Sequence, residues 1–245
     1  MSDWWDGFFE DAGWLYIQRT LWSDAVTDAQ VTAIQRWLAL EPGMRLLDAP
    51  CGTARHASRL ARAGIDVVGV DISESLLADA RKACDGLDVE LRLGDMRDIE
   101  GDESFDGAIN MWGSFGFFDD QGNAEFAANV CRALKPGGRF LIDTHTSETL
   151  FSRYTPTSYV KVGDARLLED RRYDDRNGRM EVDWTIVRDG REFSLHTSIR
   201  IYSMPELRAL LHEAGFTQIV VYSELDGTLF NFPTHARRAY VVATR

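Results

Sequence analysis

The chain has 245 residues, of which 44% are hydrophobic and 27% are charged, as in an ordinary globular protein. Its 27 basic and 39 acidic residues give a formal net charge of −12, which argues against nucleic acid as a partner because phosphate binding needs a basic surface. No apolar run approaches the ~20 residues of a membrane span, so no membrane partner is expected. The three cysteines form no Cys-x-x-Cys pair, which predicts a reduced, cytoplasmic protein without a metal site.

The first forty residues are predicted to be helical. Apolar residues recur at helical spacing from Phe8 to Trp22 and from Val31 to Leu38, with Asp28 expected to cap the second segment. The start of the chain, Met1-Ser2-Asp3-Trp4, lacks the basic residues and apolar core of a signal peptide, which also favours the cytoplasm.

Strands and helices then alternate. The pattern predicts strands at 44–49, 66–70, 89–93, 105–111 and 139–143, and helices at 53–63, 73–84 and 123–134. Strands joined by helical crossovers form a parallel sheet with right-handed connections. The predicted fold class is therefore α/β.

The pattern changes after residue 155. Residues 158–202 alternate with period two, and Asn177-Gly178 and Asp189-Gly190 are typical hairpin turns. This predicts an antiparallel β ribbon over 155–202, inserted before a helix from Met204 to Gly215 and final strands at 216–222 and 239–244.

Three acidic residues end the first three predicted strands. Asp48 begins the small-residue loop of LLDAPCGTARH, and Asp71 and Asp95 follow 23 and 24 residues apart. Carboxyl ends of parallel strands meet at one sheet edge, where a nucleoside joined to an amino acid could bind. Asp48 is expected to accept from an ammonium group, directly or through water. Asp71 is expected to accept from both ribose hydroxyls, and Asp95 from the exocyclic amine of adenine.

Neighbouring residues complete this predicted cofactor site. Small residues at Ala49 and Gly52 let a ligand approach the backbone, and the following helix N-terminus could hold a carboxylate. The Met96 N–H is expected to donate to a ring nitrogen, and Ile72 to pack on the adenine face.

Each element also has a structural interpretation. Gly52 could serve only a turn, Asp71 could cap a helix, and Asp95 could be an ordinary loop residue. A nicotinamide-dependent oxidoreductase would use the same sheet, but its Gly-x-Gly-x-x-Gly fingerprint is absent from the sequence.

The ordered segments resemble a known family. LLDAPCGTARHASRLA, VVGVDIS, LRLGDMRDI, FDGAINMWGSFGFF and ALKPGGRFLID are similar to the motifs of Rossmann-like, class I, S-adenosylmethionine-dependent methyltransferases. The tail resembles bacterial small-molecule members, including sugar N-methyltransferases. Pro50 and Ala54 stand where the family usually has glycine, and because Pro50 has no N–H, the ligand amine is expected at the carbonyls of Ala49 or Pro50.

The resemblance implies S-adenosyl-L-methionine as the cofactor and a seven-stranded sheet in a single domain, 1–245. It implies that residues 1–40 form a helical lid and that the 155–202 insert shapes the acceptor pocket. It places Met111 and Ser114 beside the cofactor, and Tyr16 or Arg19 of the lid near the methionine carboxylate.

Residues that contact the methyl acceptor are expected at the same sheet edge. His145 follows the fifth strand and is a candidate general base, or a rim histidine without a role. Side chains that could contact the acceptor are the aromatic residues Trp112, Phe115 and Phe117 and, at period two, His196, Arg200 and Tyr202. The first three could instead be core residues, and the second three an ordinary polar sheet face.

The predicted function is methyl transfer to a nitrogen or oxygen atom of a small-molecule acceptor by in-line displacement. Two alternatives remain open at this point, a protein or RNA methyltransferase and a non-catalytic nucleoside-binding protein. Asn110-Met111-Trp112-Gly113 stands where an Asn-Pro-Pro-Tyr-type motif would indicate methylation of exocyclic amines on nucleic-acid bases.

Overall fold

The N-terminal segment is helical as predicted, but its second long helix is capped by a different residue. A computed structural model describes residues 3–245, so Met1 and Ser2 of the predicted lid lie outside it. A 3-10 helix at Phe8–Glu10 precedes α1 (Ala12–Thr20) and α2 (Asp24–Leu38). The side chain of Ser23 caps α2 by accepting from the Val26 N–H, so the prediction that Asp28 begins this helix was wrong.

A seven-stranded sheet forms the centre of the protein. Its first half comprises β1 (Arg45–Asp48), α3 (Ala57–Arg62), β2 (Asp66–Asp71), α4 (Glu74–Ala83), β3 (Val89–Leu93) and β4 (Phe105–Asn110). Its second half comprises α5 (Asp120–Ala133), β5 (Leu134–Thr144), α6 (Ser147–Phe151), α7 (Met204–Glu213), β10 (Gln218–Tyr222) and β11 (Ala239–Thr244). The strand order is β10-β11-β5-β4-β1-β2-β3, and among these strands β11 is antiparallel to both of its neighbours.

Both faces of this sheet are buried. Leu46 packs with α2 and α3 residues such as Ile34 and Leu60, whereas its neighbour Leu47 packs on the opposite face with residues such as Phe126 of α5. Successive strand residues point to opposite faces, and helices cover both of them, which explains the nearly continuous apolar runs in the sequence. The predicted α/β fold is confirmed.

The predicted ribbon is a four-stranded antiparallel sheet, here called the insert sheet. It comprises β6 (Thr157–Val162), β7 (Ala165–Asp174), β8 (Arg179–Arg188) and β9 (Arg191–Arg200) in that spatial order. Asp189 and Gly190 both have positive φ, 52° and 73°, as the predicted two-residue turn requires.

Several boundaries differ from the predicted ones. α3 begins at Ala57 rather than at residue 53, because residues 52–56 form a loop in which Gly52 and Ala54 are left-handed. α5 begins at Asp120, capped by Asp119, and β5 extends back to Leu134. In the part of the chain that the structure describes, no helix is both long and apolar enough to cross a membrane.

Candidate active site

A cavity of about 380 Å³ lies at the carboxyl ends of the central strands. Loops after β1 to β5 form its floor, while the N-terminal segment and the insert sheet cover it. The predicted site residues that line it are Pro50, Gly52, Asp71, Ile72, Asp95, Met96, Met111, Trp112, Ser114, Phe117 and His145.

Asp71 is the buried carboxylate of the cavity's cofactor half, which we define as the part lined by the loops after β1 to β4. One oxygen accepts from the Gly52 N–H at 2.7 Å and the other from the Ser73 N–H at 2.9 Å. Burial raises the pKa of Asp71 to about 6, although these N–H donors act in the opposite direction. Each oxygen keeps a further lone pair, so hydroxyl groups can still bind.

Asp48 lies beneath the cavity and does not line it. The side chain is buried, and within residues 3–245 neither carboxylate oxygen has a hydrogen-bond partner. Burial raises its pKa to about 8, more than the positive charge of Arg55 lowers it, so the group is protonated at neutral pH. A protonated, covered carboxyl does not fit the predicted role as an ammonium acceptor.

Ala49 is also covered. Its carbonyl, expected to meet the ligand amine, accepts from Asn110 Nδ2 at 2.8 Å. Of the two predicted carbonyl positions, only Pro50 lines the cavity.

Asp95 and Met96 reach the cavity together. The Asp95 carboxylate accepts from the Arg97 N–H at 2.8 Å and from Arg97 Nη2 at 2.6 Å. Burial alone would raise the pKa of Asp95, but these bonds lower it overall. The predicted adenine amine would therefore share this carboxylate with a guanidinium.

The loop after β4 divides its predicted residues between the cavity and the core. Ser114 Oγ donates to the Met111 carbonyl at 3.1 Å, and both residues line the cavity. Phe115 does not, because it packs against Phe126 and Tyr202 in the core. The prediction of Phe115 as an acceptor-wall residue is not supported.

Arg55 is a cavity residue that sequence reasoning did not select. Nη1 donates to Gln30 Oε1 at 2.6 Å and to Thr27 Oγ1 at 3.2 Å, and the guanidinium lies 4.8 Å from the Trp22 ring centroid. Among the described residues, the buried Nη2 has no partner. Burial lowers the pKa of Arg55 to about 10, so the group is still cationic at neutral pH. The sequence carried a signal for this residue, because Arg55 belongs to the loop CGTARH that follows the first predicted strand.

The insert sheet turns its apolar face toward the cavity, contrary to the sequence prediction. The lining residues from β7, β8, β9 and the segment after β9 are Glu169, Arg171, Met180, Val182, Trp184, Thr197, Ile199 and Ile201. We define these, with Thr144, His145, Leu150 and Arg238, as the acceptor half of the cavity.

His196, Arg200 and Tyr202 lie outside the cavity. His196 contacts Asp183 at 2.8 Å and Glu181 at 2.9 Å on the outer face. Arg200 forms ion pairs at the surface, with Asp120 at 3.0 Å and Glu206 at 3.1 Å, and Tyr202 is buried with its O–H donating to the same Asp120 at 2.9 Å. Strand alternation in β9 sends His196 and Arg200 away from the cavity because Thr197 and Ile199 face it, and Tyr202, beyond the strand, packs in the core instead.

His145 lines the cavity as predicted, but its environment disfavours proton abstraction. Its Nε2 accepts from Arg238 Nη1 at 3.2 Å. Burial, with the nearby charge of Arg238, lowers the pKa of His145 to about 3. The imidazole is therefore neutral and weakly basic at physiological pH, with that lone pair already used.

Comparison with known proteins agrees with the geometry of the cofactor half. Residues 46–138 match a methyltransferase domain. Over 177 residues the chain is 29% identical to dTDP-3-amino-3,4,6-trideoxy-alpha-D-glucopyranose N,N-dimethyltransferase of Streptomyces venezuelae, covering 70% of each chain. Both findings agree with the predicted resemblance to class I S-adenosylmethionine-dependent methyltransferases.

Solved structures show the same fold. The CcbJ methyltransferase from Streptomyces caelestis matches with a TM-score of 0.77 at 18% identity, covering 90% of this chain and 91% of that one. The S-adenosylmethionine-bound amino pentose methyltransferase CalS10 from Micromonospora echinaspora matches with a TM-score of 0.68 at 24% identity, covering 90% of both chains.

The N-terminal segment of the methyltransferase contacts the cavity through aromatic residues instead of the predicted polar pair. Tyr16 and Arg19 lie outside, where the Tyr16 hydroxyl accepts from the Asp164 N–H at 3.2 Å and Arg19 pairs with Asp79 at 2.5 Å. The opposite face of α1 buries Trp14 and Ile17, which leaves Tyr16 and Arg19 pointing outward. The segment's lining residues are Trp4, Trp5, Phe8, Phe9, Trp14 and Gln18.

Trp112 stands where the two halves of the methyltransferase cavity meet. Its φ of 64° is unusual for a residue with a bulky side chain. Asp143 fixes this turn, since its carboxylate accepts from the Trp112 N–H at 3.1 Å and its backbone carbonyl accepts from the Gly113 N–H at 2.8 Å. Arg238 forms an ion pair with the same buried carboxylate, an interaction too distant in sequence to be predicted.

Proposed function

We propose that this methyltransferase transfers the methyl group of S-adenosyl-L-methionine to a nitrogen or oxygen atom of a small molecule. The observation that supports this most directly is the shared cavity, which runs from Asp71 at the sheet edge to Trp184 of the insert sheet. An enclosed hollow of this kind suits a compact acceptor better than a protein or RNA surface. The Streptomyces venezuelae relative is by its name an N,N-dimethyltransferase of a dTDP-linked amino sugar, which supports a nitrogen acceptor.

The residues present fit the cofactor. We assign the ribose hydroxyls to Asp71, the adenine to the space between Ile72 and Met96, and the methionine carboxylate to Arg55. The partnerless Nη2 of Arg55 is the observation behind the last assignment, because a buried guanidinium N–H favours an anionic acceptor. When bound, the cofactor supplies a methyl group activated by its positive sulfur.

The protein's contribution to the reaction is placement and enclosure. The acceptor atom bonds to the methyl carbon as the carbon–sulfur bond breaks, which yields S-adenosylhomocysteine, and a protonated acceptor atom also releases a proton. Holding the acceptor atom in line about 3 Å from the carbon supplies much of the rate. Trp14, Trp112 and Trp184 surround the junction of the two halves and limit access of water.

Further proposals concern the domain organisation, the cellular compartment and the partners of the protein. We propose one domain in which residues 3–40 cover the cofactor half and the insert sheet forms the acceptor wall. Cys51, Cys84 and Cys131 are buried free thiols, which supports a reducing compartment such as the cytoplasm. The net charge of −12 supports a partner other than nucleic acid, and we propose no membrane partner.

Calorimetry and a labelled-methyl assay together test this function. We expect S-adenosylhomocysteine to bind and NAD not to bind. Methyl-labelled cofactor should transfer its label to a small-molecule fraction of a cell extract rather than to the protein or RNA fractions. Label found mainly in protein or RNA would refute the small-molecule proposal.

A further inference from the structure

The acceptor half contains one charged pair of the insert sheet on an otherwise mostly apolar wall. Among the described residues, Glu169 and Arg171 are the charged side chains that this sheet contributes to the lining, while Met180, Val182 and Ile199 make it apolar. Burying an ion pair is costly compared with apolar packing. Its position on a cavity wall therefore points to recognition of a ligand.

Glu169 is held firmly through one oxygen only. The side chain is 8% exposed, and its Oε2 accepts from Ser158 Oγ at 2.6 Å and pairs with Arg171. Within residues 3–245, the hydrogen bond to Ser158 and the ion pair with Arg171 both involve Oε2 rather than Oε1. The structure thus presents one fixed, available carboxylate oxygen in the acceptor half.

The cations of the acceptor half are already engaged. Arg171 also donates to Ser158 Oγ at 3.2 Å and to the Thr155 carbonyl at 3.5 Å. Arg238 donates to Asp143 and to His145. Both guanidiniums are paired with carboxylates, Arg171 with Glu169 and Arg238 with Asp143, so the wall offers no net positive charge to an anion. The remaining oxygen of Glu169 can accept from a ligand that donates hydrogen bonds.

Trp184 lies directly beside this carboxylate. It is the cross-strand partner of Glu169, and such pairs have Cβ atoms about 5 Å apart on the same face. Its indole N–H donates to Thr197 Oγ1 at 2.9 Å, which fixes the ring. A flat apolar surface next to a carboxylate suits a ring that is apolar on one face and carries a polar substituent at its edge.

We propose that the acceptor is a ring compound bearing an amine or hydroxyl group that donates to Glu169 Oε1 while its apolar face packs on Trp184 and Val182. Anionic acceptors are disfavoured by the same carboxylate. This inference rests on the proposed function, because it names the acceptor class of that site.

Two matched probes test the acceptor class. Trans-2-aminocyclohexanol and cyclohexanecarboxylate share a ring and differ in polar group, and each is titrated into the protein saturated with S-adenosylhomocysteine, with binding followed by ligand-observed NMR. We expect the amino alcohol to bind at least tenfold more tightly than the carboxylate. Glu169→Gln should weaken amino alcohol binding at least tenfold without changing affinity for S-adenosylhomocysteine.

Asp170→Asn is the matched control, since Asp170 neighbours Glu169 but is exposed on the opposite face. It should leave both affinities unchanged. Equal or tighter binding of the carboxylate, no binding of either probe, or an unaffected Glu169→Gln variant would overturn the inference. If that variant fails to fold, the comparison of the two probes on the unmodified protein still decides. Failure of the unmodified protein to bind S-adenosylhomocysteine would instead contradict the proposed function.

Discussion

The cofactor half and the acceptor half of the cavity are built in different ways. The cofactor half collects short loops from four separate strands, and backbone N–H groups hold its main carboxylate, Asp71. The acceptor half takes most of its wall from one contiguous segment, 157–201, and uses side chains. Groups fixed by the backbone suit a ligand that does not vary, whereas a wall of side chains can differ between enzymes that share a cofactor.

The two halves also differ in the charged atom that they leave available. Besides the lone pairs of Asp71, the cofactor half leaves a guanidinium nitrogen available, Nη2 of Arg55, whereas the acceptor half leaves a carboxylate oxygen of Glu169. Opposite charges at the two ends would orient two different ligands toward the junction at Trp112. The following variants test this division.

The largest effect is expected at Arg238, which connects the two halves. Arg238→Gln removes the cation that pairs with buried Asp143, and we expect the free energy of unfolding to fall by about 3 kcal/mol. Denaturant unfolding measures this loss. Arg237→Gln, at an exposed neighbour, is the control and should change stability little. Equal stability of the two variants would show that the pair does not hold the halves together.

Asp71 tests the cofactor half alone. Asp71→Ala should weaken S-adenosylhomocysteine binding by about 1–3 kcal/mol, the range for hydrogen bonds to charged groups, as measured by calorimetry. Asp66→Ala, at the other end of the same strand, should leave the affinity unchanged. Unaltered affinity in the first variant would remove Asp71 as the ribose ligand.

The raised pKa of Asp71 predicts a pH dependence of binding. Its usual value is 3.8 and its value in the folded protein is about 6, so the ionised form is disfavoured by folding. The contribution of this group to stability is therefore lost as pH rises from about 4 to about 6. Since ribose hydroxyls donate to the ionised form, affinity for S-adenosylhomocysteine should rise as pH rises through about 6. Asp71→Asn should abolish this change, and its persistence would assign the titration to another group.

Arg55 tests which end of the cofactor each charged group holds. Arg55→Gln should weaken S-adenosylhomocysteine binding by about 1.5 kcal/mol through loss of a charged hydrogen bond. Binding of 5′-methylthioadenosine, which lacks the amino-acid moiety, should not change. Equal weakening of both ligands would mean that Arg55 acts on the shape of the loop rather than on a carboxylate.

The smallest effect is expected at His145. Because its pKa is about 3 and its Nε2 already accepts from Arg238, His145→Gln should lower turnover less than tenfold. The rate of labelled-methyl transfer, measured once an acceptor is known, checks this. A much larger loss of turnover, with unchanged cofactor affinity, would restore His145 as the base.

Sequence reasoning located the cofactor half because strand ends can be read from periodicity. Asp71, Asp95 and Met111 each close an apolar run, and parallel strands bring those ends together. Sequence reasoning failed where a strand or helix could turn either of its two faces toward the cavity. His196 and Thr197 are adjacent on one strand, and alternation alone does not say which of them faces a cavity. Tyr16 and Trp14 pose the same choice on α1, and burial of the apolar face settled both cases.

Long-range side-chain contacts could not be predicted from the sequence either. The pairing of Arg238 with Asp143 spans 95 residues, and no local pattern announces it. The partners of Asp95 and Ala49 were missed for a different reason. Arg97 and Asn110 donate to the Asp95 carboxylate and the Ala49 carbonyl, which the sequence analysis had assigned to a ligand.

The contiguity of the insert sheet has a consequence for how such enzymes diversify. Its strands pair with one another through local turns in the order β6-β7-β8-β9, so the part of the acceptor wall that this sheet supplies is encoded by a single stretch of the gene. Recombination at the two ends of that stretch would change the acceptor specificity in one event and leave the binding site of the methyl donor unchanged.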